Sequence, residues 1–440
     1  MANLVQKATL ARFDFTFFLA ILALLTISIF AIYSANVDSE GVSQSNQWLR
    51  QIVWLIIGLI LFVSFSFIDY HHFLNFVLPI FLITLVSLLL VLILGYTVAG
   101  AMRWLNLGIA SIQPSELGKA SVIILLAAFF GSRLTGAAKF KDLVLGLAVI
   151  LPFVGLIMLQ PDFGTAMSYL AVYFGIIFVA GANIKLIIFA VLTAILTAIY
   201  LLIKVWNDFL ATNSFWLATI LSQRETLIQL IIASAIVLVI TLIGFITSKR
   251  FSYYAIGFTA LANICALVVS LVALLTLRPY QLARLASFLN PNFDPQGAGY
   301  QALQSLTAIG SGGLRGQGFL QGTHTHLRYL PEQSTDFIFS VIGEEFGLVG
   351  SSIIIALYIF ILIKLLYYAG HAMDNFGAYL CIGVFSLLLF HVTINIGMVI
   401  GLIPITGIPL FLLSYGGSSA LTILALLGIA SNVFRQRLKK

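Results

Sequence analysis

The chain has 440 residues, 61% of them apolar and only 8% charged, with 22 Lys and Arg against 15 Asp and Glu. Soluble proteins carry about 25% charged residues, and no soluble core hides this much apolar surface without exposing large patches. The chain therefore reads as a polytopic membrane protein, and its basic excess as a mark of cytoplasmic loops rather than of nucleic-acid binding.

A membrane-crossing helix needs roughly 20 mostly apolar residues. Runs of that kind lie near 13–34, 51–68, 73–95, 115–131, 143–160, 163–181, 185–204, 228–247, 254–276, 337–363, 377–400 and 417–434. The expected fold is an all-α integral membrane bundle of about twelve spans. The first run is longer than a signal-peptide core and reads as a retained span. With the N-terminus in the cytoplasm, the inside loops hold Lys7, Arg12, Arg133, Lys139, Lys141, Lys185, Lys249, Arg250, Lys364 and the tail RQRLKK. Both termini are then cytoplasmic, and one long loop over 277–336 faces outward. The two cysteines, Cys265 and Cys381, sit in separate apolar runs and form no CxxC, so redox and zinc readings have no support.

In chain order, the first chemically rich stretch is RWLNLGIASIQPSELGK, with Arg103 near its start. Pro114 suits the first turn of a helix, and Glu116 and Lys119 then share a face at i and i+3. They form either a self-neutralising structural pair or part of a wet cavity, and spacing does not separate the two. In QPDFGT, Asp162 stands at a helix N-terminus, where simple capping is the better reading. Residues 205–228 are too polar for a clean span and suit an interfacial helix carrying Trp216.

The long loop follows. Asp294 precedes a proline in NPNFDPQG and by itself is a turn residue. GSGGLRGQG sets glycines around Arg315 without matching a nucleotide motif, although accessible amides and one Arg could hold a phosphate. His324 and His326 in HTH are too few for a metal site. Asp336 stands at the outer mouth of the next span. Glu344 and Glu345 lie about two turns deeper and point apart, Glu344 being better placed to share a cavity with Asp336. In HVTINIGMVIGLIPITGIPLFLLSYGGSS, His391 and Asn395 lie one turn apart. Pro404, Pro409, Gly416 and Gly417 then break the helix, which is tolerated at depth only inside protein or along water.

RWLNLGIASIQPSELGK, QPDFGT, NPNFDPQGAGYQALQS, LPEQSTDFIFSVIGEEFGLVG and GLIPITGIPLFLLSYGGSS together resemble one family over nearly the whole chain. It is the shape, elongation, division and sporulation (SEDS) family of bacterial cell-wall polymerases, and the loop resembles its rod-shape branch more than its division branch. The resemblance implies a peptidoglycan glycosyltransferase that polymerises lipid II on the outer face of the bacterial cytoplasmic membrane. It implies work on undecaprenyl-pyrophosphate-linked glycan beside a class B penicillin-binding protein and other elongation-complex membrane proteins. The family's loop Asp falls on Asp294, its membrane Glu and Lys on Glu116 and Lys119. Arg103, Asp162, Arg315, Asp336, Glu344 and Ser414 complete the candidate cavity. A lipid pyrophosphate leaving group calls for Arg, Lys or a divalent cation, and a carboxylate at the water boundary suits a general base for a sugar hydroxyl. The family has ten spans, so the surplus implies an inserted helix pair around 205–250. A lipid flippase or transporter, or a scaffold for a penicillin-binding protein, are the competing readings. The flippase predicts essential charges at the bilayer midplane.

Overall fold

Every apolar run is helical, because a chain in lipid must satisfy its backbone N–H and C=O groups within the segment. The computed structural model describes residues 13–98, 101–106, 108, 111–133, 139–210, 223–277, 279–294 and 296–437. In chain order the helices are α1 Phe15–Asn36, α2 Gln47–Phe67, the single turn α3 His72–Asn75, α4 Val77–Leu94, α5 Pro114–Gly131, α6 Phe140–Leu159, α7 Phe163–Val179 and α8 Ile184–Val205. They continue with α9 Arg224–Ser248, α10 Phe251–Thr276, α11 Pro279–Leu289, α12 Ala298–Gly312, the single turn α13 Thr323–His326, α14 Ile338–Gly370, α15 Asn375–Val399 and α16 Gly417–Gln436. Among the described residues eleven helices are long and apolar enough to cross a membrane, and α7, apolar but shorter at 17 residues, is the twelfth. All twelve fall on the expected runs. The long loop is itself largely helical, holding α11, α12 and α13. The interfacial helix expected with Trp216 lies mostly outside the described residues. Before that gap, α8 passes into a π-helical turn over Trp206–Leu210.

Side chains stop and start these helices. Asp14, Asp162 and Asp374 cap α1, α7 and α15 by accepting from backbone amides in the first turn. Burial pushes the Asp14 carboxyl up, but hydrogen bonds from Lys364, Thr16, the Phe17 amide and Tyr368 outweigh it and hold it at about 2. One feature was not visible in the sequence. Between α4 and α5, β1 Tyr96–Val98, β2 Ala101–Asn106 and β3 Ser111–Ile112 form an antiparallel meander, with Tyr96 opposite Trp104 and Leu105 opposite Ile112. Strands this short give no readable alternation.

The helices pack as two units. The first holds α1–α7, the meander, all but the start of α12, and α13–α16. Its α1 and α14 run antiparallel, tied at one end by Ser34 donating to Glu345 and at the other by Lys364 to Asp14 at 2.7 Å. In α16, Gly428 lies against the Phe62 backbone of α2, the close approach that small residues allow between membrane helices. The helix α15 is mostly buried, packed against α5, α7, α14 and α16.

The second unit holds α8–α11 and the start of α12. Its α8 and α9 are apolar almost all round, as lipid-facing helices are. Tyr200 of α8 donates to Asn263 Oδ1 of α10 at 2.7 Å, and Asn263 Nδ2 to Ser234 of α9 at 2.9 Å. This chain of hydrogen bonds satisfies three polar side chains within apolar helices.

Candidate active site

The first turns of α5 carry the charge pair. Lys119 Nζ lies 2.5 Å from Glu116 Oε1, and the two are 1% and 4% exposed. Ion pairs this buried are kept only with further partners, and Lys119 has two. His391 Nε2 of α15 lies 3.2 Å from Nζ, and the ammonium sits 5.0 Å from the Phe411 ring centroid. Among the described residues Glu116 Oε2 is buried with no partner, so the pair is not fully self-satisfied.

A second polar group adjoins it. Asp162 Oδ1 caps α7 by accepting from the Thr165 amide at 3.2 Å. Its Oδ2 accepts from Gln113 Nε2 at 3.2 Å and lies 3.3 Å from Arg103 Nη1 of β2. Capping was the right expectation but half the role, for Asp162 also joins the meander to the start of α5. Tyr169 of α7 donates to the Ser115 carbonyl at 2.8 Å, and Gly118 leaves room for that hydroxyl.

The irregular stretch Thr406–Gly416 closes this region. Its carbonyls cannot form a helix ladder, so side chains satisfy them, as buried backbone requires. Asn395 donates to Ile408 O at 2.7 Å and Ser28 to Leu413 O at 2.7 Å. Tyr358 donates to Phe411 O at 2.5 Å, and Gln51 to Ser414 O at 3.4 Å. The Ser414 hydroxyl accepts from the Leu410 amide at 2.8 Å, so it shapes the stretch. Asn395 also donates to Asp336 O at 2.8 Å, which places the part-exposed Asp336 on the same scaffold.

The glycine-rich segment works differently from its anion-binding expectation. At Gly347 (φ 61°) α14 breaks, and residues 313–318 dock on the break backbone to backbone. Gln317 N donates to Glu344 O at 3.0 Å, Gly318 N to Glu345 O at 2.9 Å and Leu348 N to Gly313 O at 3.0 Å. A side chain on Gly312, Gly316 or Gly347 would meet backbone atoms across this contact. The amides of Gly316, Gln317 and Gly318 are therefore spent, and Arg315 stands exposed at the tip. Gly347→Val should lower stability by about 2 kcal/mol through strain alone, read as a lower midpoint in detergent thermal unfolding. An unchanged midpoint would show that the break is not held by this packing.

The Glu344 carboxylate, expected to face a cavity with Asp336, is taken up by the loop before α14. It accepts from the amides of His324 and Thr325 at 2.7 and 3.0 Å and from the Thr325 hydroxyl at 2.6 Å. The loop turns back onto α14 at that point and takes both oxygens. Glu345, pointing away as expected, accepts from Ser34 and from Leu320 N. His326 Nδ1 lies 2.9 Å from Val37 O, and the ring lies 3.7 Å from Glu345. Among the described residues no three His, Cys, Asp or Glu side chains converge as a metal site would require.

Asp294 belongs to the second unit. It ends the 3-10 turn Pro291–Phe293, which Asn290 caps through the Asn292 amide, and it is half-exposed. Its carbonyl accepts from Gly297 N at 3.2 Å, and its carboxylate lies over Gly297, where any Cβ would strike it. Gly299 lets the Pro291 and Asp294 backbones pass in the same way. The two glycines thus leave room for the Asp294 carboxylate and for the backbone of its turn.

The FtsW/RodA/SpoVE cell cycle protein family matches this chain over residues 15–213 and 212–439. The peptidoglycan glycosyltransferase RodA of Treponema pallidum is 37% identical over 97% of this chain and 98% of its own length. The peptidoglycan glycosyltransferase MrdB of Escherichia coli K12 is 32% identical over 96% and 94%. Among solved structures, a chain of a peptidoglycan synthase complex superposes with a TM-score of 0.66 at 26% identity, covering 97% of this chain and 99% of that one. The rod shape determining protein RodA of Thermus thermophilus does so with 0.59 at 25%, covering 97% and 98%. Matched by that family's model over nearly its whole length and 37% identical to the Treponema RodA over 97% of it, the chain belongs to the FtsW/RodA/SpoVE family of cell cycle proteins.

Proposed function

We propose that this chain is a peptidoglycan glycosyltransferase of the RodA type that polymerises lipid II on the outer face of the cytoplasmic membrane. The observation that carries this is the near full-length likeness to curated peptidoglycan glycosyltransferases. The 4-hydroxyl of one disaccharide attacks C1 of another, the C1–O bond to the lipid pyrophosphate breaks, and the hydroxyl proton passes to Asp294. Within the first unit, Lys119, Arg103 and the exposed Arg315 are the cations available to an anionic leaving group. A divalent cation carried by the pyrophosphate itself would supply the same neutralisation. By analogy with the synthase complex it resembles, the chain works beside a class B penicillin-binding protein.

A flippase is disfavoured by depth. Glu116 and Lys119 are the third and sixth residues of α5, within about 9 Å of its start, not at the midplane. Fluorescent lipid II in proteoliposomes separates the readings. Polymer marks the enzyme, lipid exchange between leaflets without polymer marks the flippase, and neither marks the scaffold.

Two subsidiary proposals have their own tests. With both termini cytoplasmic, the turn after α1 faces outward, so a cysteine replacing the exposed Glu40 should react with an impermeant thiol reagent in intact spheroplasts. Labelling only after lysis would reverse the topology. The surplus helix pair expected around 205–250 is peripheral to catalysis; among the described residues that range holds one membrane-crossing helix, α9 Arg224–Ser248, which packs against α10 Phe251–Thr276. Replacing α9 and α10 together with a short linker keeps an even number of spans and should leave polymerisation within about tenfold of wild type. A stable but inactive deletion would place them in the site.

A further inference from the structure

His391 is a buried polar side chain, 1% exposed, that no catalytic reading has yet used. Its Nδ1 lies 2.9 Å from the Pro409 carbonyl and its Nε2 3.2 Å from Lys119 Nζ. A carbonyl only accepts, so Nδ1 must carry the proton; an ammonium only donates, so Nε2 must present its lone pair. The geometry thus fixes a neutral ring in one tautomer. The ring is stacked on Phe411 with centroids 3.7 Å apart and planes at 18°. Lys119 Nζ meets Glu116 Oε1 and His391 Nε2 and lies 5.0 Å from the Phe411 ring centroid, so one of its three N–H donors is held by no polar atom among the described residues. These are the groups that face the His391 ring: Lys119 from α5, and Pro409 and Phe411 from the irregular stretch. His391 therefore joins the ammonium to the stretch Thr406–Gly416, which has no internal ladder of its own to fix it.

We propose that His391 is a positioning residue: its Nδ1-protonated neutral ring, anchored on Pro409, aims the Lys119 ammonium at the pyrophosphate of the lipid-linked donor. This rests on the glycosyltransferase reading above. If His391 were merely filling space, any side chain of similar volume would serve. If it aims Lys119, a replacement must both donate to Pro409 O and accept from Nζ. Gln can do so through its two amide atoms, whereas Leu can do neither.

The test uses the full chain with its penicillin-binding partner and measures initial rates of lipid II polymerisation, with thermal unfolding as a control. His391→Leu should lower kcat by about 100-fold, the cost of misplacing a reacting group by roughly an ångström, with little change in KM. His391→Gln should recover most of that loss. Normal turnover in His391→Leu, or equal losses in His391→Leu and His391→Gln at equal stability, would overturn the proposal. A wild-type complex that makes no polymer would remove the glycosyltransferase reading and this proposal with it, an outcome distinct from the others.

Discussion

Asp294→Asn should abolish glycan polymerisation while expression, membrane insertion and partner binding stay normal. The substitution keeps the shape of a side chain for which Gly297 leaves room and removes only its ability to take a proton. Loss of a general base costs about 100- to 10,000-fold, at or below the floor of a polymer assay. Asp294→Glu should retain a small fraction of activity, because the carboxylate survives but its oxygens move by roughly an ångström, worth about 100-fold. Stability should barely change in either variant, since Asp294 is half-exposed and closes a turn whose bonds are mainly backbone. Glycan strands made at a normal rate by the Asn variant would reduce Asp294 to a turn residue.

The second large effect lies in the buried pair, and here activity and stability should separate. Lys119→Met leaves the Glu116 carboxylate buried without its cation, which typically costs about 3–5 kcal/mol. That variant should be both nearly inactive and poorly folded. Glu116→Gln removes the carboxylate but leaves the ammonium on His391 and Phe411, so it should fold and yet polymerise about 100-fold more slowly. The double variant Glu116→Gln/Lys119→Met buries no charge and should regain much of the lost stability without regaining activity. Thermal midpoints in detergent and polymer yields from lipid II report the two quantities. An active, well-folded double variant would return the pair to a purely structural role.

How far the sequence revealed this site depends on the range of each interaction. Helical spacing exposed Glu116 and Lys119 because i and i+3 share a face, and it exposed Asp162 as a cap because capping is local. The same spacing set His391 and Asn395 on one face of α15. It could not show that their partners are Lys119 on α5 and the carbonyls of Pro409 and Ile408. Ser28, Gln51 and Tyr358 are polar residues in apolar helices that no sequence motif singled out. Their hydroxyl and amide groups are spent on Leu413, Ser414 and Phe411 of the irregular stretch, so the proline and glycine breaks visible in the sequence were the only trace of their role. The glycines of 310–318 were legible as backbone exposed for contact, but not the contact itself, which is with the break at Gly347. Glu344 looked like a cavity group because its helix position allowed it, while the loop that takes its oxygens folds back from 20 residues away.

The most direct test supplies radiolabelled lipid II to the purified full chain, reconstituted with a class B penicillin-binding protein whose transpeptidase serine is blocked by penicillin. Products are resolved on a gel. The account predicts a ladder of glycan strands that lysozyme digests, and no ladder when Asp294→Asn replaces the wild type. Unchanged lipid II with the wild-type chain, or the same ladder from the Asn variant, would contradict it.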